Sequence, residues 1–226
     1  MISLQDFRPS KIVCVGRNYA AHARELGNAV PERPLLFLKP PSALLENGGA
    51  IVLPPDSVRV EHEAEIAVVI GRRARNIPAD SALDYIAGCA PLNDVTARDL
   101  QKLDVQFTRA KGFDTFCPLG RAVPLGDLDW RELEVCCRVN GVERQRGRAD
   151  DMVFGIPELV AYISRIMTLE PGDVIATGTP EGVGPLEDGD EVEVEIVGLS
   201  SVRNRVVRDS ATEPVPTAAP AGAAGV

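Results

Sequence analysis

The strongest hydrophobic pattern in this 226-residue chain is an extended segment at residues 59–71 (RVEHEAEIAVVIG), where acidic and apolar positions alternate before a continuous apolar run. Side chains two residues apart on a strand point to the same face, so the segment predicts a strand that enters the core. Shorter runs rich in β-branched residues predict further strands at residues 11–16, 135–139, 142–144, 172–177 and 191–197.

Two segments carry helix signals. Residues 18–26 (NYAAHAREL) lie between Asn18, which we predict to cap the helix, and Gly27, which we predict to end it. Residues 157–166 begin with a proline, which the first turn of a helix tolerates. Both predicted helices are short in comparison with the total length of predicted strand.

Turn-forming dipeptides connect the predicted strands. Asn140-Gly141 predicts a type I′ hairpin turn, and Asp188-Gly189 predicts a turn just before the strand at residues 191–197. Because strands outnumber helices and do not alternate regularly with them, the pattern predicts a mostly β, mixed α+β fold rather than a βαβ array.

Composition changes only at the carboxyl end. Residues 210–226 contain mainly Ala, Pro, Gly and Thr, which bury too little apolar surface to offset the entropy cost of ordering. We therefore predict one folded domain over residues 1–209 and a disordered tail over residues 210–226.

The charge balance argues against nucleic-acid binding. The net charge is −9 and the calculated pI is about 4.8, whereas such partners need a clustered basic face. Arg72, Arg73 and Arg75 are interpreted as a solvated strand edge. No signal peptide and no apolar stretch of 18 residues is evident, so we expect a cytoplasmic protein with no membrane association. Its five cysteines are expected to be reduced and mostly buried; they are Cys14, Cys89, Cys117, Cys136 and Cys137.

The carboxylates of the longest predicted strand are candidate metal ligands. Glu61, Glu63 and Glu65 share one face of an extended strand and would repel one another on entering a core. A hard divalent cation would remove that repulsion. The alternative is a solvated strand edge. Zinc is disfavoured, because there are only two histidines and no closely spaced cysteine pair with metal-binding spacing.

Other candidate groups each allow a second interpretation. Asp94 is either a third oxygen ligand or the cap of a helix that follows it. His22 and Glu25 are three residues apart on a predicted helix, so they form either a general-base pair or a surface ion pair. Lys111 either stabilises an enolate or is exposed. Residues 177–184 (TGTPEGVG) form either a nest for a carboxylate or a plain turn.

Several familiar catalytic motifs do not occur. The glycine-rich loop has neither the order of a P-loop nor that of a dinucleotide site. The chain also contains no G-x-S-x-G and no H-E-x-x-H sequence, which removes the main support for a serine hydrolase or a zinc protease.

Taken in order, six segments resemble the fumarylacetoacetate hydrolase family. They are residues 15–22, 37–40, 63–65, 93–101, 109–114 and 177–184, and the resemblance covers about residues 10–207. It implies a mixed β-sandwich roll built around a metal site, usually in a homodimer. The chain begins directly at the catalytic domain and so resembles the short acylpyruvase branch. Departures are the sequence ENGGA at residues 46–50 and His62, where an aromatic residue is usual.

The resemblance also implies residue roles. Glu63, Glu65 and Asp94 match the ligands of one Mg²⁺ or Mn²⁺ ion. The catalytic positions are His22 and Glu25, which activate water, and Lys111. Expected substrate contacts are Arg17, Gln101, Gly178 and Thr179, and Lys39 also matches the family pattern.

The implied activity is hydrolysis of the C–C bond of a 3-acylpyruvate, a 2,4-diketo acid, to pyruvate and a carboxylate. The same site would also support oxaloacetate decarboxylation or tautomerisation, or isomerisation of 2-hydroxyhepta-2,4-diene-1,7-dioate. The complete His22/Glu25 pair favours a reaction that uses water. A non-catalytic relative is the remaining alternative, and intact carboxylates argue against it.

Overall fold

The computed structural model describes residues 8–126 and 128–209. The predicted tail at residues 210–226 lies outside them. Within the described part, the α-helices are α1 (Ala20–Glu25), α2 (Arg98–Leu103), α3 (Thr108–Lys111) and α4 (Ile156–Ile166). The strands are β1 (Ile12–Gly16), β2 (Leu35–Lys39), β3 (Leu44–Leu45), β4 (Ala50–Leu53), β5 (Val60–His62), β6 (Ala64–Ile70), β7 (Ile86–Asn93), β8 (Thr96–Ala97), β9 (Cys117–Pro118), β10 (Glu134–Val139), β11 (Val142–Arg148), β12 (Val174–Ala176), β13 (Gly184–Pro185), β14 (Glu191–Ile196) and β15 (Ser200–Arg208).

Two five-stranded sheets form the body of the protein. The first has the order β2-β1-β12-β6-β7 and the second has the order β11-β10-β14-β15-β4. Apolar side chains of both sheets, including Ile66, Val68, Val135 and Val194, belong to one buried cluster. This packing of one sheet on the other confirms the predicted mostly β, α+β fold.

The longest predicted strand is interrupted in the structure. Residues 59–71 form β5, which belongs to a small sheet of order β13-β5-β8, and β6, which belongs to the first large sheet. Glu63 lies between them, and its backbone N–H donates to the Asn93 side chain at 3.0 Å instead of a strand partner. The prediction of one continuous strand was therefore wrong, because side-chain pattern alone does not reveal a change of sheet.

Helix α1 begins later than the sequence indicates. Its cap residue is Tyr19, and the predicted cap Asn18 is fully buried and bonds elsewhere. The Asn18 amide donates to the carbonyls of Phe154 and Thr177 and accepts from the Phe154 N–H. The capping prediction was wrong, whereas the left-handed conformation of Gly27, with φ of 70°, agrees with its predicted position at the helix end.

The remaining local predictions are confirmed with small changes in their bounds. Asn140 and Gly141 both have positive φ, 52° and 77°, as a type I′ turn between β10 and β11 requires. Helix α4 has Pro157 in its first turn. Arg72, Arg73 and Arg75 are exposed, and all five cysteines are unpaired and buried. Over the described residues, no helix is long and apolar enough to span a bilayer.

Candidate metal centre and active site

Three carboxylates converge where β5, β6 and β7 meet. Glu63 lies at the break between β5 and β6, Glu65 lies on β6, and Asp94 directly follows β7. One oxygen from each of the three lies within 4.8 Å of the others. The antiparallel register of β6 on β7, which pairs Ala64 with Asn93, brings the two chain segments together. All three residues are buried, so the interpretation as a solvated strand edge was wrong.

Glu61 belongs to a different arrangement. Its carboxylate accepts from Arg98 Nε at 2.6 Å and from Arg59 Nε at 2.6 Å. Arg98, the first residue of α2, also donates to Glu63 Oε1 at 2.6 Å and to the Gln101 side-chain oxygen. This buried guanidinium connects β5, the metal-ligand candidates and α2. Its role is not evident from the sequence, in which Arg98 lies more than 30 residues from Glu61 and Glu63; the only signal is that a buried carboxylate requires a nearby cation.

Two buried lysines hold Asp94. Lys111 Nζ donates to Asp94 Oδ2 at 2.7 Å and to Glu63 Oε2 at 2.8 Å, and Lys39 Nζ donates to Asp94 Oδ1 at 2.7 Å. The interpretations of Asp94 as a helix cap and of Lys111 as an exposed residue were therefore wrong. Burial alone would lower the pKa of Lys111, but Asp94 and Glu63 outweigh burial and raise that pKa above its ordinary value.

Glu63 and Glu65 have opposite environments. Burial alone would raise the pKa of Glu63, but the cations of Lys111 and Arg98 outweigh burial and hold that pKa below its ordinary range. The pKa of Glu65 is raised well above its ordinary value by burial and by the neighbouring charges of Asp94 and Glu63. Among the ion pairs of the described residues, none includes Glu65, whose carboxylate accepts from the Gly178 N–H at 2.7 Å.

The ion pairs of this centre leave one buried carboxylate without a cationic partner among the described residues. The buried groups are the carboxylates of Glu61, Glu63, Glu65 and Asp94 and the cations of Lys39, Arg98 and Lys111. Arg98, Lys111 and Lys39 pair with Glu61, Glu63 and Asp94, and Glu61 also pairs with the exposed Arg59, whereas Glu65 has no ion-pair partner among the described residues. Clustered carboxylate oxygens are the ligands that Mg²⁺ and Mn²⁺ prefer. The donor set therefore fits a hard divalent cation.

The candidate general-base pair lies on the same cavity. His22 Nδ1 and Glu25 Oε2, on α1, are 3.1 Å apart, and Glu25 Oε1 accepts from the Gly182 N–H at 3.0 Å. Because a carboxylate only accepts, Nδ1 carries the proton and a neutral His22 keeps Nε2 free as a base. His22 is only 5% exposed, whereas Glu25 is exposed, so the interpretation as a surface ion pair was wrong for the imidazole.

A cavity of about 430 Å³ unites these groups. Of the residues predicted from the sequence, it is lined by Arg17, His22, Glu25, Glu63, Glu65, Asp94, Gln101, Lys111 and Thr179. Gly178 does not line it and instead holds Glu65 through its backbone N–H. One wall is aromatic, where the rings of Phe37 and Phe107 meet edge to face with centroids 5.6 Å apart. These rings and the lining residue Lys102 were missed by the sequence analysis.

Residues 11–207 match the family model described as fumarylacetoacetate (FAA) hydrolase C-terminal. The match spans most of the chain, and the protein belongs to this family. Among its relatives, the mitochondrial oxaloacetate tautomerase of Arabidopsis thaliana is 52% identical over 213 residues, which cover 92% of this chain and 96% of the relative.

Solved structures of the family resemble the chain closely. One is fumarylpyruvate hydrolase from Pseudomonas aeruginosa in complex with Mn²⁺ and pyruvate, with a TM-score of 0.84 and 34% identity over 90% of this chain and 91% of that one. Another is 2-hydroxyhepta-2,4-diene-1,7-dioate isomerase from Mycobacterium marinum, with a TM-score of 0.83 and 44% identity over 91% of this chain and 77% of that one. Relatives thus carry the names of a tautomerase, a hydrolase and an isomerase.

Proposed function

We propose that this protein hydrolyses the C–C bond of a 3-acylpyruvate to pyruvate and a carboxylate, with one Mg²⁺ or Mn²⁺ ion per chain. The observation that carries the proposal is a single cavity that joins three clustered carboxylates to the buried His22, which is paired with Glu25. Hydrolysis needs a base that takes a proton from water, and His22 oriented by Glu25 can fill that role. The fumarylpyruvate hydrolase structure with Mn²⁺ and pyruvate supports both the ion and the product.

The metal would be held by Glu63, Glu65 and Asp94. Three carboxylate ligands leave about half of an octahedral shell for substrate and water. A bound divalent cation would supply Lewis-acid stabilisation of the enolate formed when the C–C bond breaks. The Lys39 and Lys111 ammonium groups orient Asp94 by direct hydrogen bonds.

The protein's own groups then move protons and orient the substrate. His22 Nε2 takes a proton from water, and the hydroxide oxygen bonds to the distal carbonyl carbon. The C–C bond breaks with its electron pair going to C3 of the pyruvate enolate, and a proton returned to C3 gives pyruvate. Lys111 has a third N–H beyond the two that bind Glu63 and Asp94, and it can donate to an enolate oxygen.

The substrate carboxylate would be bound by Arg17 and Gln101, which line the cavity. Thr179 also lines it, but its hydroxyl donates to the Ala64 carbonyl at 2.9 Å and so serves the structure of the wall. Arg17 makes no ion pair among the described residues, which leaves its guanidinium free for an anionic substrate. We also propose that the enzyme acts as a homodimer in the cytoplasm.

Oxaloacetate tautomerisation is the second candidate. It is favoured by the 52% identity to the Arabidopsis thaliana oxaloacetate tautomerase. Tautomerisation moves a proton between carbon and oxygen and requires no attacking water, so the same carboxylate centre would serve it. Oxaloacetate decarboxylation and 2-hydroxyhepta-2,4-diene-1,7-dioate isomerisation would use the same enolate chemistry.

Steady-state turnover separates these reactions. We expect purified protein with Mn²⁺ or Mg²⁺ to cleave acetylpyruvate and fumarylpyruvate, and EDTA to abolish the cleavage. Conversion of oxaloacetate alone would contradict the hydrolase proposal and favour the tautomerase or decarboxylase. Turnover of acylpyruvates that persists unchanged in EDTA would contradict the metal assignment.

A further inference from the structure

Gln145 is a buried amide that has no assigned role in catalysis. It lies on β11, is 1% exposed, and stands between the exposed residues Arg144 and Arg146. A neutral polar side chain in such a position is stable only when its hydrogen bonds are satisfied by the protein. Its partners therefore reveal what it holds together.

The Gln145 amide makes four hydrogen bonds. Its oxygen accepts from the Ala64 N–H at 3.0 Å and from His62 Nδ1 at 2.8 Å. Its nitrogen donates to Thr179 Oγ1 and to the Pro180 carbonyl, both at 2.8 Å. The amide orientation is fixed, because the Ala64 N–H can only donate and the Pro180 carbonyl can only accept.

These partners belong to two segments that carry the candidate active site. Residues 62–65 include the metal-ligand candidates Glu63 and Glu65. Residues 177–182 form the loop whose Gly178 N–H holds the Glu65 carboxylate and whose Gly182 N–H holds Glu25. The loop thus contacts both the carboxylate centre and the general-base pair, and Gln145 binds it between those two points.

The loop also packs tightly on β11 on both sides of Gln145. A Cβ at Gly147 would lie 2.6 Å from Pro180 Cβ, and a Cβ at Gly182 would lie 2.2 Å from the Arg144 carbonyl oxygen. Neither position has room for a side chain, and Gly182 also has φ of 93°, where side chains are strained. The backbone of the loop is therefore packed directly against β11 on both sides of Gln145.

We propose that Gln145 is a positioning residue that fixes the 177–182 loop against the carboxylate strand. It thereby sets the metal affinity through Gly178 and Glu65, and the orientation of Glu25 through Gly182. The effect on turnover depends on the proposed hydrolase function, whereas the effect on metal affinity does not. Outer partners of metal ligands typically change metal affinity by about 10–100-fold when removed.

The first test measures Mn²⁺ binding by calorimetry on metal-stripped protein. Gln145→Met keeps a similar volume but removes all four hydrogen bonds, and we expect about 10-fold weaker Mn²⁺ binding. The matched control is Asn204→Leu, because Asn204 is also a buried amide on a strand, and it donates to the Glu46 and Gly49 carbonyls away from the cavity. We expect the control to lower the melting temperature and leave Mn²⁺ affinity unchanged. Equal Mn²⁺ affinity in both variants and the wild type would overturn the proposal.

A second variant covers the case in which Gln145→Met does not fold. Gln145→Asn keeps a neutral amide but is one methylene shorter, so it cannot bond to residues 62–65 and to the 177–182 loop at once. We expect this variant to bind Mn²⁺ more weakly than wild type. Wild-type affinity would show that the loop is held without Gln145 and would overturn the proposal.

A double-mutant cycle with Glu25→Gln tests whether Gln145 orients Glu25. We expect Gln145→Met to lower kcat for acetylpyruvate by about 10-fold or more in the wild-type background, and by less than about 3-fold when Glu25 is already replaced. A purely structural role predicts the same factor in both backgrounds, and that result would overturn the positioning role. If the wild type cleaves no acylpyruvate, the proposed function fails while the Mn²⁺ titration still tests Gln145.

Discussion

Glu65 carries the charge that the protein alone leaves uncompensated. Its pKa is raised above its value in the unfolded chain by burial, Asp94 and Glu63. A raised carboxyl pKa contributes stability fully below the unfolded value of about 4.3, and this contribution is lost as pH rises toward the folded value. Metal-free protein should therefore be destabilised by Glu65 at neutral and alkaline pH.

The Glu65→Gln variant tests this assignment. Without the buried charge, we expect metal-free protein at pH 8 to be more stable than wild type by about 1 kcal/mol, or about 2–4 °C in melting temperature. The difference should shrink as pH falls from 8 toward the unfolded-chain value of about 4.3, because the raised pKa lets the folded wild type take up a proton on Glu65 before the unfolded chain does. Mn²⁺ should stabilise the wild type and not the variant. Parallel melting curves across this pH range would contradict the account of Glu65.

His22 is the residue whose role distinguishes hydrolysis from the alternatives. We expect His22→Ala to lower kcat for acetylpyruvate by about 10²–10⁴-fold, because a positioned general base contributes about that factor. Mn²⁺ affinity should be unchanged, since His22 is not among the clustered carboxylate ligands. An activity like that of wild type would show that another group activates water.

Pairs of functional side chains that are close together in the sequence could be predicted from their spacing. Glu63 and Glu65 are two residues apart in extended chain, and His22 and Glu25 are three apart on a helix, so spacing alone places each pair on one face. Arg98 and Gln145 could not be predicted in this way. Each acts through contacts with residues more than 30 positions away, which only the folded chain brings within hydrogen-bonding distance.

At the scale of elements, the break between β5 and β6 is what places Glu63 at the candidate site. The alternating pattern of residues 59–71 correctly predicted extended backbone but could not show that the chain changes sheets at Glu63. The change depends on the Asn93 side chain, which accepts from the Glu63 N–H, and on the Asp94 N–H, which donates to the Glu63 carbonyl at 2.8 Å. Hydrophobic periodicity does not reveal where a side chain replaces a backbone partner in a strand ladder.

The loop after β12 provides an element-scale prediction. Gly178 has φ of 104°, and a Cβ there would lie 2.7 Å from Asn18 Cβ and 3.1 Å from the Val15 carbonyl oxygen. We expect Gly178→Ala to cost about 2–3 kcal/mol of unfolding free energy, combining backbone strain with overpacking. It should also weaken Mn²⁺ binding, because the Gly178 N–H holds Glu65.

Gly189 is the matched control for that substitution. It has a similar φ of 91°, but no atom lies within 4 Å of a Cβ built there. Gly189→Ala should therefore cost only about 1 kcal/mol from backbone conformation and leave Mn²⁺ affinity intact. Chemical denaturation and calorimetry on both variants provide the comparison. Equal losses of stability and unchanged metal affinity in both would contradict the proposed tight seating of the loop.

At the scale of the whole molecule, fold class was predictable and sheet order was not. Strand content and turn dipeptides such as Asn140-Gly141 indicate a mostly β protein from local sequence alone. The order β2-β1-β12-β6-β7 joins strands from both ends of the chain, and hydrophobic pattern carries no information about which distant strands pair. The resemblance to a known family supplied the expectation of a β-sandwich roll, but not the order of its strands.

Stability of the whole protein should depend on metal. Binding to the folded state alone stabilises by about 2.7 kcal/mol at an Mn²⁺ concentration 100 times Kd. For a domain of this length, that corresponds to a rise in melting temperature of about 5–11 °C. Thermal unfolding with Mn²⁺ and with EDTA measures the shift. An unchanged melting temperature would contradict a divalent cation at the carboxylate centre.

The most direct test of the proposed hydrolysis is whether oxygen from water is incorporated into the acetate product. Acetylpyruvate should be incubated with Mn²⁺-loaded protein in ¹⁸O-water and the acetate analysed by mass spectrometry. We predict acetate containing one oxygen atom from water, formed in amounts equal to pyruvate, absent after EDTA treatment and formed at least about 10²-fold more slowly by His22→Ala. Failure to form labelled acetate, in a preparation that converts oxaloacetate, would contradict the hydrolase account and assign the cavity to enolate chemistry without water.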